Sequence, residues 1–156
     1  GNCQPRWMVY DSDIEGMTPL MGEKRAGAAY PLRGFLDRGV RIAFGTDFPV
    51  TPPPDTMHEI QCAMTRAVFP EAPDYEKFKG KTLGSERPAD LEEAVRSLSI
   101  NGAYQIRAEK ITGSIEEGKS ADLVILDRDI ENTDAGEIYT IKVEKTIFKG
   151  EIVYER

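Results

Sequence analysis

Histidine is almost missing from this chain: His58 stands alone among 156 residues. A multi-histidine zinc site or a binuclear imidazole cluster therefore cannot be assembled from these residues alone, because such sites draw about three or four ligands from the protein. Cysteine is nearly as scarce. Cys3 and Cys62 stand at unrelated positions and make no disulfide framework, which favours a reduced, cytoplasmic setting. No apolar run approaches the roughly 18 residues that a bilayer span requires, and no basic-then-apolar segment opens the chain. Positive charge is outnumbered, with 20 Lys and Arg against 27 Asp and Glu for a formal net charge of -7. That surplus of acid argues against nucleic acid or an anionic membrane surface as a partner. Internal repeats and low-complexity tracts are lacking as well. The opening residues Gly1-Asn2-Cys3-Gln4-Pro5 read as the middle of a longer chain.

What is present is an ordinary globular composition, 40% hydrophobic and 30% charged, enough for one core or two small ones. Residues 8–30 carry no clear period and read as a loop with a short helix at most. From Pro31 the pattern sharpens. Pro31 suits a first helical position, Leu32, Phe35 and Leu36 share one helix face, and Gly39 suits the residue past its end. Val40 to Gly45 then reads as a short buried strand, and Pro52-Pro53-Pro54 as a stiff extended connector. Asp55 is placed to cap a helix over about residues 56–68, with Met57, Ile60, Met64 and Val68 on its apolar face. Residues 70–88 read as a long surface excursion, either a binding loop or a mobile one.

Asp90 and Glu93 form a capping-box pair for a further helix, irregular around Asn101-Gly102. Beyond Lys110 the period changes. Leu123 to Leu126 reads as a strand, and Val143–Phe148 and Ile152–Tyr154 as a hairpin closed by Lys149-Gly150. The order is an α/β one, with residues 1–110 as one unit and 111–156 as a small β unit.

Chemistry concentrates at Arg41–Val50, "RIAFGTDFPV", where a buried strand runs into an acid. In β/α architectures functional side chains sit at the carboxyl ends of strands. Asp47 has that position, and Gly45 and Thr46 leave room beside it. A carboxylate there can ligate a divalent metal or act as a base; equally, it can cap the turn by accepting backbone N–H bonds. His58, on the first turn of its helix, reads as a plain histidine and Cys62 as a small buried residue. Trp7 either lines a pocket or packs under the loop. Asp122 reads as a turn-holding acid that accepts backbone N–H groups. Glu92-Glu93 and Glu116-Glu117 read as solvated faces that also cap the starts of elements.

Several motifs together resemble the C-terminal part of the amidohydrolase superfamily, in particular amidohydrolase family 3, the YtcJ-like metal-dependent hydrolases. They are "GTDFPV" at Gly45–Val50, "SINGAYQI" at Ser99–Ile106, "GSIEEGKSADLVILDRD" at Gly113–Asp129, Cys3-Gln4-Pro5, and the closing "EKTIFKGEIVYE". The Gly113–Val124 run is the most specific of these. The resemblance implies the last units of a (β/α)8 barrel over residues 1–110, and strands of a composite β-sandwich over 111–156. It implies hydrolysis of an amide or cyclic amide C–N bond with a divalent metal, zinc first among the candidates. Asp47 would be both metal ligand and catalytic base, protonating the leaving group later. The remaining ligands of such a family, a His-x-His pair, a lysine or acidic residue and two further histidines, would all precede residue 1. A full barrel takes about 250 residues, so the chain would be a fragment, inactive by itself, that self-associates or needs the preceding barrel strands. Its partner would be a small-molecule amide. The alternative is a non-catalytic binding or oligomerisation module derived from the same fold. Thr46 and Phe48 stand where many relatives have Ser and Trp, which puts any contact through an indole N–H in doubt.

Overall fold

Strand β1 (Asn2–Cys3) and strand β2 (Ala43–Phe44) run parallel, Asn2 opposite Ala43 and Cys3 opposite Phe44. In this computed structural model, which describes residues 1–51 and 55–156, the pair is extended by Ala43 N–H to Gly1 O and Gly45 N–H to Cys3 O, both 2.9 Å. Parallel neighbours need a crossover. Here it is a 3-10 turn (Pro5–Trp7), α1 (Ser12–Met21), α2 (Glu23–Gly27) and α3 (Leu32–Leu36). Helix α1 is longer than the short helix expected within residues 8–30. Its start is set by Asp11, whose carboxylate accepts from the N–H groups of Asp13 (3.0 Å) and Ile14 (3.1 Å). Ile14 alone on this helix is fully buried, so the periodic signal was weak.

Helix α4 (Thr56–Thr65) follows β2. Asp55 caps it as expected, through Met57 N–H at 3.0 Å. It ends earlier than the expected residue 68, because Arg66 turns left-handed at φ 53° and anchors there. The Arg66 guanidinium donates to the carbonyls of Leu83 (2.8 Å), Tyr30 (3.1 Å) and Ala29 (3.2 Å). Every residue from Met57 to Ala63 is buried, so the helix presents no solvated side along that stretch. The segment 70–88 is not simply a surface excursion: it holds α5 (Tyr75–Phe78), and both Phe78 and Leu83 are fully buried.

Helices α6 (Leu91–Leu98) and α7 (Ile100–Gln105) meet at Ser99, two residues before the expected irregularity. The Asp90–Glu93 capping box is present. Glu93 is not a solvated face: its two oxygens also accept from the Arg33 guanidinium at 2.7 and 2.9 Å. Asn101 Nδ2 donates to Ile42 O at 2.8 Å, pinning α7 to β2. Ile42 and Phe44 enter one core with Met8, Leu32, Met57, Ile60 and Ala94.

Residues 111–156 carry an antiparallel sheet ordered β3-β4-β5, from Leu123–Leu126, Val143–Phe148 and Glu151–Glu155. The hairpin turns at Lys149 (φ 53°) and Gly150 (φ 85°), as the sequence implied. Asp122 accepts from Lys149 N–H (2.9 Å) and from the hydroxyls of Ser120 (2.8 Å) and Thr112 (2.7 Å). A 3-10 turn (Ile138–Thr140) departs from the sheet, and Ile138 and Ile141 join the helical core. Gln61 receives Tyr139 N–H there at 2.9 Å. No helix of the described residues is long and apolar enough to cross a membrane. Pro52–Pro54, expected to be stiff and extended, lie outside the described residues.

Candidate functional site

The two faces of the β1–β2 pair differ. Cys3, Ile42 and Phe44 pack toward the helices. On the other side, the place where Gly45 lacks a Cβ is faced by the side-chain amides of Asn2 (3.4 Å) and Gln4 (3.8 Å). Gln4 Nε2 donates to Asn2 Oδ1 at 2.6 Å, and Asn2 Nδ2 to Gln105 Oε1 at 3.2 Å. The sheet is thus apolar under the helices and polar opposite them.

Both strands end on the same side, because they are parallel. Asp47 leaves β2 there, exposed, with φ 59°. Asp is among the few non-glycine residues that accept this left-handed region. The turn is closed without its carboxylate. Asp47 O accepts from Val50 N–H (2.9 Å) and Thr51 N–H (3.3 Å), and Phe48 N–H goes to the Thr46 hydroxyl (3.3 Å). The Thr51 hydroxyl donates to Thr46 O. Among the described residues no backbone or side-chain donor reaches the Asp47 carboxylate, so Thr46 and the main chain do the capping that the carboxylate could have done.

The donor chemistry at this point is compatible with a metal ion in one respect. An exposed carboxylate at a strand end offers one anionic oxygen ligand to a hard or borderline divalent cation. It would need company, since no group of three or more His, Cys, Asp or Glu among the described residues is placed to hold a metal. His58 is otherwise engaged. Its ring is buried, with Nδ1 3.0 Å from Asp55, Nε2 3.1 Å from Glu71, and Phe69 edge-on with centroids 4.4 Å apart. The contact with His58 holds the Asp55 carboxyl below its usual range. Cys62 is fully buried, and burial pushes its thiol up and away from reactivity.

Under the turn after β1 lies an ion pair that sequence reading missed. Glu59 is fully buried within α4, and Arg6 Nε lies 3.0 Å from Oε1 with both side chains at most 9% exposed. The contact is ionic rather than a directed hydrogen bond; the bond itself comes from Arg6 N–H to Glu59 Oε2 at 3.2 Å. Desolvation raises the Glu59 carboxyl to about 7 despite the lowering effect of Arg6. The available signal was the composition of α4: Met57, Ile60, Cys62, Ala63 and Met64 surround more than one face, so Glu59 had no watery side to occupy.

Trp7, left open between lining a pocket and packing, borders a cleft with Arg6, Thr51, Val68, Phe69 and Ala72. The cleft therefore joins the turn after β1, the turn that carries Asp47, and the segment after α4.

A family model for the amidohydrolase family matches residues 9–154, nearly the whole chain. The chain belongs to that family. The YtcJ protein of Bacillus subtilis (strain 168), assigned to the amidohydrolases, is 28% identical over 155 residues, covering 99% of this chain and 28% of its own length. An N-substituted formamide deformylase of Arthrobacter pascens is 33% identical over 129 residues, 81% of this chain and 22% of that enzyme. This amidohydrolase chain thus spans less than a third of the length of the curated relatives it matches. Among solved structures, an enamidase superposes with a TM-score of 0.56 at 21% identity, over 86% of this chain and 32% of that one. At that identity the likeness concerns the fold, and it agrees with a mixed α/β segment of an amidohydrolase.

Proposed function

We propose that this chain is the C-terminal part of a longer metal-dependent amidohydrolase that hydrolyses a non-peptide C–N bond, an amide or cyclic amide. In this reading residues 1–110 are the last β/α units of a barrel, and residues 111–156 supply strands of a composite β-sandwich. Family membership and the relatives' names support C–N hydrolysis as the reaction class. The observation that carries the site is Asp47: an acid at the carboxyl end of a parallel strand, exposed, with its carboxylate unused by the turn that holds it.

Asp47 would contribute one oxygen ligand to a divalent ion, zinc first among the candidates, with the other ligands from polypeptide outside residues 1–156. Such an ion supplies Lewis-acid polarisation of the scissile carbonyl and a lower pKa for the attacking water. Asp47 would be the group that accepts a proton from the attacking water and gives it to the departing nitrogen. Its backbone is held for this by Val50, Thr51 and the Thr46 hydroxyl, so the carboxylate is presented without being spent on the fold. A single carboxylate binds such an ion weakly, which makes the isolated chain inactive.

The test is Asp47→Asn in the full-length enzyme. The amide keeps the shape and removes the base and the anionic ligand, so turnover is expected to fall at least a hundredfold, the lower end of about 10²–10⁴ for general acid–base groups. Turnover within a few-fold of the wild type would return Asp47 to a structural role. A second reading, a binding or self-association module, rests on the apolar side chains that β3 and β5 leave exposed, among them Val124, Ile125, Ile152 and Val153.

A further inference from the structure

The cleft beside Trp7 is not accounted for by the chemistry at Asp47. It has a volume of about 180 Å³ and its lining is mainly apolar: Trp7, Val9, Val68, Phe69, Ala72 and Pro73. A closed apolar cavity of about 150 Å³ holds one benzene ring, so the space suits one aromatic ring or a branched alkyl group. Its wall is tied to the candidate catalytic turn. Thr51 lines it, and Thr51 N–H and hydroxyl reach back to the carbonyls of Asp47 and Thr46.

The charges at the cleft select among ligands. Arg6 lines it, but its guanidinium is paired with buried Glu59 and lies 5.6 Å over the Phe69 ring. Asp11 and Asp74 also line it, and among the described residues no cation other than Arg6 does. An anionic ligand would meet two carboxylates and a cation that is already neutralised.

We propose that this cleft is a specificity subsite for the uncharged aryl or branched-alkyl substituent of the amide substrate. The assignment of the ligand as an amide rests on the hydrolase reading above; the occupancy of the cleft by a neutral apolar group does not. Trp7, Phe69 and Ala72 line it, and Thr51 connects it to the turn that carries Asp47.

Trp7 is the sole tryptophan, so one indole N–H resonance reports on the cleft. The 15N-labelled protein is titrated at pH 8, where Glu59 is ionised, with benzamide, acetamide and benzoate. Benzamide is expected to shift the Trp7 resonance saturably, acetamide to leave it unmoved, and benzoate to bind at least tenfold more weakly. Ala72→Phe fills the cleft and should weaken benzamide at least tenfold; Ala72→Leu, a smaller intrusion, should weaken it less. Thermal melts of both variants check that they fold. An unmoved Trp7 resonance up to the solubility of benzamide, equal shifts by acetamide, benzoate binding as tightly as benzamide, or folded Ala72 variants that bind normally would each overturn the subsite. Asp47→Asn separates the two readings: it should cut turnover in the full-length enzyme at least a hundredfold yet leave the benzamide titration unchanged. Loss of the subsite with turnover still dependent on Asp47 would sink this inference alone.

Discussion

Glu59 sits in the middle of α4 with its carboxylate closed off from water, and Arg6 answers it from the turn after β1. Partial compensation has a consequence for stability. Burial raises the folded value to about 7 from an ordinary 4.5. The folded state therefore holds the proton more tightly than the unfolded chain. The stability this contributes is complete below pH about 4.5 and is lost as pH rises through about 7. A shift of that size corresponds to about 3 kcal/mol between the two limits. Urea denaturation at pH 5 and pH 8 should show Glu59→Gln losing most of this slope, whatever its absolute stability. Parallel pH profiles for variant and wild type would mean that Arg6 compensates Glu59 fully. Asp47 contrasts with Glu59: it is exposed, and among the described residues nothing donates to its carboxylate.

Local signals for starting and stopping an element were the ones most readable in the sequence. Asp55, the Asp90–Glu93 box and Lys149-Gly150 all act within a few residues of themselves, so their partners were in view. The end of α4 was not, because Arg66 is held by carbonyls 17, 36 and 37 residues away. The same distant packing explains Gly84. Its backbone is at φ 67°, and a Cβ there would lie 2.2 Å from Gly27 O. Neither atom sits on a flexible side chain, so one backbone must move. Gly84→Ala should lower the melting temperature by roughly 5 °C or more, taking about 2 kcal/mol or more for the clash and the left-handed strain. An unchanged melt would show that the segment 80–84 yields freely. Phe78 and Leu83 also escaped sequence reading: single apolar residues among Gly, Lys and Pro have no period to betray them, yet both are fully buried.

At the scale of the whole molecule, the surfaces are unequal. Strand β5 is exposed along its whole length. Val124, Ile125, Ile152, Val153 and Tyr154 are 44–60% exposed on the three-stranded sheet. Apolar sheet surface and open strand edges recruit partners. The isolated chain is therefore expected to self-associate as concentration rises, measurable by light scattering, and Val153→Lys on the exposed strand should reduce it. A monodisperse monomer at high concentration would mean that these faces are tolerated in water.

Residue order alone determined the family motifs, the strand that ends in Asp47, the caps and the closing hairpin, because each depends on neighbours a few positions apart. Folding decided how the turn at Asp47 closes: Thr46, Val50 and Thr51 complete it, and among the described residues nothing donates to the Asp47 carboxylate. It also decided that Arg6 meets Glu59 across 53 positions of chain, that Trp7 and Phe69 border one cleft, and that Ile138 leaves the sheet to fill the helical core. Those outcomes depend on which surfaces exclude water together, and that is a property of the packed chain rather than of any short stretch of it.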